Sequence, residues 1–421
     1  MFKRFFIYVF LCIAVSFYLF PVSFSFMPET VNSKMILAVF GILASVYDCI
    51  ENGKVTISRP LLITALIAIG FSTWCFFSVT INGTDDTIYS RYWLSCATWL
   101  GGAYAICFLI RKTFGSVDLE KLTFLLSIVC IAQCILAIII DNVPAFQIVI
   151  DGVFLQGQDF LHSVKRLYGI GASLDSAGVR FAVVLILIAH QLSRYGHALD
   201  SVTKTVYYFI AFTVIVIVGS IIARTTWVGA LLGLPYMMIP HSQVREGKIS
   251  AQQISFWLML AVIVVVASVV SIILYRHNPG FRQELRFGFE GFFNLAETGE
   301  FRIGSMDKLN RYMWIWPKDT RTWLIGTGWF GNWYYHTDIG YCRFILFCGL
   351  IGLFIFSVYF IYNGYALSQR IPGTNVLALF LIALTFIIWI KVSTDIFFIY
   401  ALLFFLSPAG AETPPCTSST T

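Results

Sequence analysis

The chain has 421 residues, of which 58% are hydrophobic and only 12% are charged, about half the charged share of a soluble domain. This composition excludes a water-soluble enzyme and supplies enough apolar residues for on the order of a dozen membrane crossings of about 20 residues each. The net charge of +6 does not indicate nucleic-acid binding, because no Lys/Arg run exceeds two residues and a mild basic excess is ordinary in membrane proteins.

Twelve charge-poor apolar runs predict membrane-spanning helices, because a helix pairs its own backbone groups inside lipid. The first run, residues 5–26, follows Lys3 and Arg4 and is too long for a cleaved signal peptide. The other predicted spans are residues 35–47, 60–81, 92–110, 122–140, 177–191, 205–223, 225–240, 254–275, 339–367, 374–390 and 396–406. The second and twelfth runs are the shortest, so the count of twelve depends on them.

The distribution of Lys and Arg predicts that both termini lie in the cytoplasm, where connections carry the basic excess. The connections placed inside by this rule contain Lys54, Arg59, Arg111, Lys112, Arg194, Lys204, Arg245, Lys248 and Arg370. We therefore expect an all-α polytopic membrane protein with about twelve transmembrane helices. Spans one to nine (1–275) include a periplasmic loop at about 141–176, a large periplasmic loop subdomain (276–338) precedes spans ten to twelve (339–407), and the Pro-, Ser- and Thr-rich tail (408–421) should be disordered.

The segment 276–338 is far longer than an ordinary connection, and loops of that length are usually functional. From His277 to Asp338 it contains seven basic and seven acidic residues, so it is electrically neutral. Its aromatic residues include Trp314, Trp316, Trp323, Trp329, Trp333, Tyr334 and Tyr335. These side chains suit both seating at the membrane interface and stacking on sugar rings, and the sequence leaves the two interpretations open.

Charged residues also fall at the edges of predicted spans, where insertion of a charge costs about 2.5 to 3.5 kcal/mol and therefore points to a function. In the predicted topology six of them lie at the outer membrane surface, namely Arg180, Arg224, Arg276, Arg343, Lys391 and Asp395. Clustered guanidinium groups suit a phosphate-bearing lipid head group, because the planar fork binds phosphate through two hydrogen bonds and stays charged. The alternative is that these side chains extend to water or pair with Asp175 and Asp338.

His336 lies where the long loop re-enters the membrane, and imidazole is the side chain that most readily accepts a proton near neutral pH. Thr337 is placed to cap span ten, with Asp338 in its first turn. An interfacial histidine followed by an ordinary capping acid explains the same residues equally well. No His or Cys spacing predicts a zinc site and no glycine-rich phosphate loop predicts nucleotide binding, so we expect neither a metal nor a cofactor.

Several short motifs follow one another along the chain. They are Arg224-Thr-Thr-Trp-Val-Gly, Arg311-Tyr-Met-Trp, Gly326-Thr-Gly, His336-Thr-Asp-Ile-Gly-Tyr and Gly349-Leu-Ile-Gly. With the twelve-span layout and the long loop, this ordered set resembles the superfamily of O-antigen polymerases and O-antigen ligases. These bacterial inner-membrane enzymes transfer a glycan from undecaprenyl diphosphate to an acceptor on the periplasmic face. The resemblance implies a GT-C-like glycosyltransferase architecture and a metal-independent transfer.

The resemblance also implies roles for individual residues. Arg224 matches the family's arginine between spans seven and eight, His336 matches the ligase histidine, and Asp338 belongs to a string typical of polymerases. The family's arginine near the start of the long loop matches Arg276 or Arg282. The residues expected to bind the diphosphate or glycan are Arg180, Arg276, Arg282, Arg302, Arg311, Arg343 and Tyr341. In the implied reaction the arginines stabilise charge on the leaving diphosphate, and His336, or alternatively Asp338, accepts the proton of the acceptor hydroxyl.

The expected function is that of a polymerase that joins oligosaccharide repeats carried on undecaprenyl diphosphate. A ligase that hands the glycan to lipid A core is the alternative within this class. A flippase or other transporter is the alternative from a different class, although transporters commonly show internal repeats and charges near the midplane, and this sequence shows no repeat and few deep charges. The expected partners are lipid-linked oligosaccharide and membrane lipid, with a chain-length regulator protein as an option and no nucleic acid.

Overall fold

The computed structural model describes residues 2–28, 30–53, 58–164, 166–195, 202–239, 251–331 and 333–407. Its helices, in chain order, are α1 (Phe2–Leu19), α2 (Ser33–Asn52), α3 (Arg59–Asn82), α4 (Tyr92–Phe114), α5 (Leu119–Asn142), α6 (Pro144–Val153), α7 (Gln158–Ser163), α8 (Leu174–Tyr195), α9 (Val202–Ile222), α10 (Thr226–Met238), α11 (Ala251–His277), α12 (Pro279–Gly288), α13 (Glu290–Thr298), α14 (Gly304–Tyr312), α15 (Thr320–Ile325), α16 (Gly340–Arg370), α17 (Asn375–Ile388) and α18 (Phe397–Leu403). Two short strands, β1 (Ser23–Phe24) and β2 (Phe154–Leu155), complete the regular structure of these ranges. The predicted tail and three of the basic residues predicted to lie inside, Lys54, Arg245 and Lys248, are outside the described residues.

The chain is an all-α polytopic membrane protein. In the described ranges, seven helices are long and apolar enough to cross a bilayer, namely α2, α3, α4, α5, α8, α9 and α16. Shorter apolar helices occur within α1, α6, α10, α11 and α17, and α18 has seven residues. Each of the twelve predicted runs contains a helix, whereas α6 lies within the segment predicted to be a loop at 141–176.

The first predicted run, residues 5–26, is helical only as far as Leu19. Pro21 follows shortly afterwards, and proline both lacks a backbone N–H and disfavours helical conformation in the residue before it. The chain then forms β1, which pairs antiparallel with β2 from the segment 141–176. The predicted span was therefore too long at its C-terminal end. Its last residues instead pair with the segment 141–176 through β1 and β2.

Helix α8 runs through the centre of the bundle, with 89% of its apolar window buried. It packs against α5, α9, α10 and α17. Two glycines allow the close crossing with α10 and the turn before it: a Cβ on Gly229 would lie 2.3 Å from the Cα of Ala182, and one on Gly178 would lie 2.9 Å from the Cβ of Ala223. The turn that contains Arg224 is thereby pressed against the first turns of α8.

Helix α16 is interrupted at Gly349, whose φ of 69° and ψ of −178° are not helical. Near the break, the Leu346 carbonyl accepts a hydrogen bond of 2.7 Å from the Thr327 N–H. A segment distant in sequence thus pairs with a backbone group of this helix. Irregular backbone at membrane depth is tolerated where protein groups satisfy it in this way. A Cβ on Gly349 would lie 2.1 Å from the Leu324 carbonyl oxygen, so glycine is required there. The glycine motifs at 326 and 349 therefore meet at one crossing.

Candidate functional site

A cavity of about 570 Å³ lies where several connections of the bundle meet. Its wall is formed by the start of α8, the turns α9–α10 and α17–α18, and helices α12 and α14. Its charged and hydroxyl-bearing lining residues are Arg166, Asp175, Arg224, Ser305, Lys308, Asp338, Arg343, Lys391, Ser393 and Thr394. We call it the cationic cavity, because its lining includes five basic and two acidic side chains among the described residues. This positive excess suits a polyanionic ligand.

Arg224 links the α9–α10 turn to the segment 276–338. Its Nε donates to the Phe287 carbonyl and its Nη1 to Ser305 Oγ, both at 3.0 Å. Its Nη2 lies 2.6 Å from Glu290 Oε2, in an ion pair whose side chains are 16% and 29% exposed. Burial lowers the pKa of Arg224 and Glu290 opposes this shift, and an arginine stays protonated in proteins. The cavity therefore contains a permanent cation that is already fixed in position.

The Phe287 ring contacts two arginines. The guanidinium carbons of Arg224 and Arg166 are each 3.9 Å from the centre of its ring. Both guanidinium groups are therefore within cation–π distance of the same ring. A second cavity of about 580 Å³ is also lined by Arg166 and Phe287. The two cavities therefore meet at Phe287 and Arg166, which line both, and we call this shared boundary the Phe287 partition.

Lys391 connects three elements around the cationic cavity. Its Nζ lies 2.6 Å from Asp175 Oδ1 and donates to Thr225 Oγ1 at 3.0 Å. The Thr225 hydroxyl in turn donates to Asp175. Because α8, the α9–α10 turn and the α17–α18 turn each supply one of these groups, the network holds the three segments together.

Arg343, in the first turn of α16, also extends into the cationic cavity. Its Nη1 donates to Ser393 Oγ at 2.8 Å and its Nη2 to the Phe330 carbonyl at 2.7 Å. Asp338 lines the same cavity, and its Oδ1 accepts a hydrogen bond of 3.1 Å from Trp333 Nε1. The structure thus brings three of the predicted site residues together around this cavity, namely Arg224, Asp338 and Arg343.

His336 does not line the cationic cavity. Its side chain is exposed and its ring packs edge-on against Trp333, with ring centres 4.9 Å apart. Its φ of 52° places it in the left-handed region, while the next residue, Thr337, is buried and donates to the Met313 carbonyl at 2.6 Å. The imidazole expected beside Arg224 is therefore not one of the groups that surround the cavity.

Six further predicted site residues do not line the cationic cavity either. These residues are Arg180, Arg276, Arg282, Arg302, Arg311 and Tyr341. Arg180 donates to a carbonyl of its own helix at 2.5 Å, and Arg282 folds back onto carbonyls at the end of α11. Arg302 forms exposed ion pairs within the loop. Tyr341 donates to a carbonyl of α17 at 2.9 Å, and Arg276 and Arg311 are exposed.

Sequence reasoning did not assign Arg166 and Lys308 to a site, although both line the cationic cavity. Arg166 lies in the chain between α7 and α8, and Lys308 lies in the short helix α14. One signal was available for Arg166, since a basic residue in a predicted outer connection runs against the positive-inside trend. Lys391 was identified as a charge at the membrane edge, and the structure adds its position in this cavity.

An apolar groove of about 500 Å³ lies on the other side of α12, between side chains of α9, α10, α11 and α13. Leu285 and Phe289 line this groove, whereas Phe287 lines the cationic cavity. Trp227 also lines the groove, and its Nε1 donates to the Gly288 carbonyl at 3.0 Å. Residues two positions apart on a helix lie on nearly opposite sides, so Leu285 faces the groove and Phe287 faces the cavity. Helix α12 therefore lies between the groove and the cavity. The arrangement suits an amphiphile with an anionic head group and an apolar chain.

Comparison of the chain with protein-family models, curated proteins and solved structures finds no match.

Proposed function

We propose that this chain is a membrane glycosyltransferase that joins oligosaccharide repeats carried on undecaprenyl diphosphate. The observation that carries the proposal is the cationic cavity beside the apolar groove, with α12 between them. A lipid-linked sugar diphosphate has the two matching parts, because its head group is polyanionic and its polyprenyl chain is apolar. The ordered motifs that resemble the O-antigen polymerases support the same conclusion independently.

The cations of the cavity suit the chemistry of this transfer. As the diphosphate leaves the anomeric carbon its negative charge grows, and cations fixed in advance stabilise that charge more in the transition state than in the ground state. Arg224 and Arg343 are fixed in this sense, since each is bonded to a backbone carbonyl and a serine hydroxyl. Cleavage of the lipid diphosphate bond supplies the energy, so no soluble nucleotide sugar is required.

We further propose twelve membrane spans in a bacterial inner membrane, with both termini cytoplasmic and the cationic cavity on the periplasmic side. The five additional spans would be α1, α10, α11, α17 and α18. In this topology the connections α7–α8, α9–α10, α11–α16 and α17–α18 all lie on the periplasmic side. These are the four connections that supply the cavity lining, which supports one common side for them.

Within the class we favour the polymerase over the ligase. The ligase resemblance assigns the proton acceptor to His336, and this side chain does not line the cationic cavity. In the source organism, deletion of a polymerase should leave lipopolysaccharide with a single repeat. Bare core with glycan stranded on undecaprenyl diphosphate would instead indicate the ligase.

The direct test uses the purified full chain in detergent with a defined undecaprenyl-diphosphate oligosaccharide. Wild-type protein should form products of two and more repeats, resolved by mass spectrometry. Arg224→Ala and Arg343→Ala should each slow elongation by about 100-fold or more, as is typical when a preorganised charge-stabilising group is removed. Arg321→Ala is the matched control, because Arg321 is an exposed arginine of the same loop that does not line the cavity. The absence of longer products, or equal losses in Arg224→Ala and Arg321→Ala, would overturn the proposal.

A further inference from the structure

The cavity beyond the Phe287 partition has a different chemistry from the cationic cavity. It measures about 580 Å³, and its polar lining residues are Asp141, Gln147, His162, Ser163, Arg166, Tyr168, Gln283 and Glu284. Its apolar lining comes from Ala137, Ile140, Leu161, Val164, Leu167, Ile221 and Phe287. Mixed polar and apolar lining of this kind suits a sugar, whose hydroxyl groups need hydrogen-bond partners and whose ring has an apolar face.

Hydrogen bonds fix one side of this cavity. Asp151 accepts from the Tyr168 hydroxyl at 2.9 Å and lies 3.0 Å from His162 Nε2. Gln147 Nε2 is 3.3 Å from the same tyrosine hydroxyl. These contacts join α6, α7 and the chain that follows α7. The cavity is therefore a built site with oriented polar groups rather than a gap between loops.

Glu284 lies in α12, three residues before Phe287, so the two side chains are neighbours on the helix surface. Glu284 lines the second cavity, while Phe287 lines both. The charged and titratable groups around this glutamate are Asp141 at the end of α5, His162 of α7, and Arg166 and Tyr168 after α7. Burial, and to a smaller extent the charge of Asp141, raises the pKa of Glu284 to about 7, although Arg166 lowers it. A carboxyl group with that proton affinity is suited to proton transfer near neutral pH.

We propose that the second cavity binds the acceptor sugar and that Glu284 is the base that accepts the proton of the attacking hydroxyl. This inference rests on the proposed function and adds the acceptor site to it. The hydroxyl oxygen forms a bond to the anomeric carbon of the donor. The bond from that carbon to the diphosphate oxygen breaks, and its electron pair leaves with the diphosphate in the cationic cavity. The hydroxyl proton passes to the Glu284 carboxylate and afterwards to water.

The two bases expected from the sequence are placed less well for this step. His336 lines neither cavity. Asp338 lines the cationic cavity alone, on the side of the leaving group. Glu284 is on the acceptor side of the Phe287 partition, where the hydroxyl proton has to be removed.

The test compares Glu284→Gln with wild type in the elongation assay and in binding of undecaprenyl diphosphate, both with the full chain in detergent. We expect the variant to lose about 100-fold or more in kcat, within the range of general base catalysis, and to bind undecaprenyl diphosphate within about threefold of wild type. The wild-type kcat/KM for donor should rise with pH through a midpoint near 7, because the base acts when deprotonated, and the variant should lack this limb. Glu300→Gln is the matched control, an exposed glutamate of the same loop subdomain, and it should keep both properties.

A second variant tests the acceptor cavity without altering the base. Gln147→Ala should raise the KM for acceptor about tenfold and leave the KM for donor unchanged. If wild type elongates and Glu284→Gln retains its rate or its pH limb, the base assignment is wrong while the proposed function stands. Loss of undecaprenyl diphosphate binding together with the rate would also overturn it. If wild-type protein does not elongate the substrate, the proposed function fails and this inference fails with it.

Discussion

The ion pair between Arg224 and Glu290 allows the effect of charge in the cationic cavity to be separated from the effect of holding the loop. Arg224→Ala removes both the cation and the link between the α9–α10 turn and the segment 276–338. Glu290→Gln removes the ion pair but keeps the cation. Its amide oxygen can still accept the Gly304 N–H, which lies 3.0 Å from the glutamate in the native protein. The two variants should therefore weaken the same link and differ in activity.

The expected magnitudes follow from burial. The paired side chains are 16% and 29% exposed, between the exposed pairs that contribute up to about 1 kcal/mol and the buried pairs whose disruption costs about 3–5 kcal/mol. We expect each variant to lose about 2 kcal/mol of stability, and Arg224→Ala somewhat more because its bonds to Phe287 and Ser305 are also lost. Elongation should fall by about 100- to 1000-fold in Arg224→Ala and by less than about threefold in Glu290→Gln.

Stability is measured as the temperature at which the detergent-solubilised protein loses its monodisperse peak, and activity as the rate of repeat addition at saturating acceptor. Arg224→Lys provides an intermediate case, since lysine keeps the charge without the planar fork. Equal losses of activity in Arg224→Ala and Glu290→Gln would show that the arginine acts only by holding the loop, and the charge argument would then be wrong.

Two further predictions concern the break in α16 and the apolar groove. Gly349→Ala should abolish the yield of monodisperse protein, because its Cβ would lie 2.1 Å from a carbonyl oxygen of α15. Gly373 has a φ of 80° and no atom within 4 Å of such a Cβ. Gly373→Ala should therefore cost only about 1–2 kcal/mol of stability. Ser268→Trp should fill the groove and slow elongation of long-chain polyprenyl donors about tenfold, or 1.4 kcal/mol, while sparing short-chain donors. Val266 is exposed on another face of α11, so Val266→Trp should leave the elongation of long-chain donors unchanged. Equal rates in the two tryptophan variants would contradict the groove assignment.

Hydropathy predicts where the helices lie, because every apolar run must pair its own backbone in lipid. It does not predict where a helix breaks inside an apolar run. The run 5–26 ends its helix before Pro21, and α16 breaks at Gly349. The second break depends on contacts with α15 and the Gly326 motif, and such distant contacts leave no trace in local hydropathy.

The site shows the same division between local and distant causes. Arg224 and Arg343 could be predicted from the sequence because a charge at the edge of an apolar span is costly and therefore informative. Glu284 and Arg166 lie in connections predicted to be outside, where nothing distinguished Glu284 from the other loop charges and only the positive-inside trend pointed to Arg166. They become significant only in the fold, where α12 and the chain after α7 border the same cavity and both side chains are partly buried. His336 lay in a suggestive motif, but the local turn leaves its ring against Trp333 and exposed.

The Phe287 partition also connects the donor to the proton affinity of Glu284. Arg166 lines both cavities and lowers the pKa of Glu284, so a diphosphate that offsets its charge should raise that pKa. The acidic limb of kcat/KM for donor reports the free enzyme, and that of kcat reports the complex. We therefore expect a midpoint near pH 7 in kcat/KM and a higher midpoint in kcat. A midpoint in kcat that is equal or lower would mean that Arg166 does not couple the two cavities.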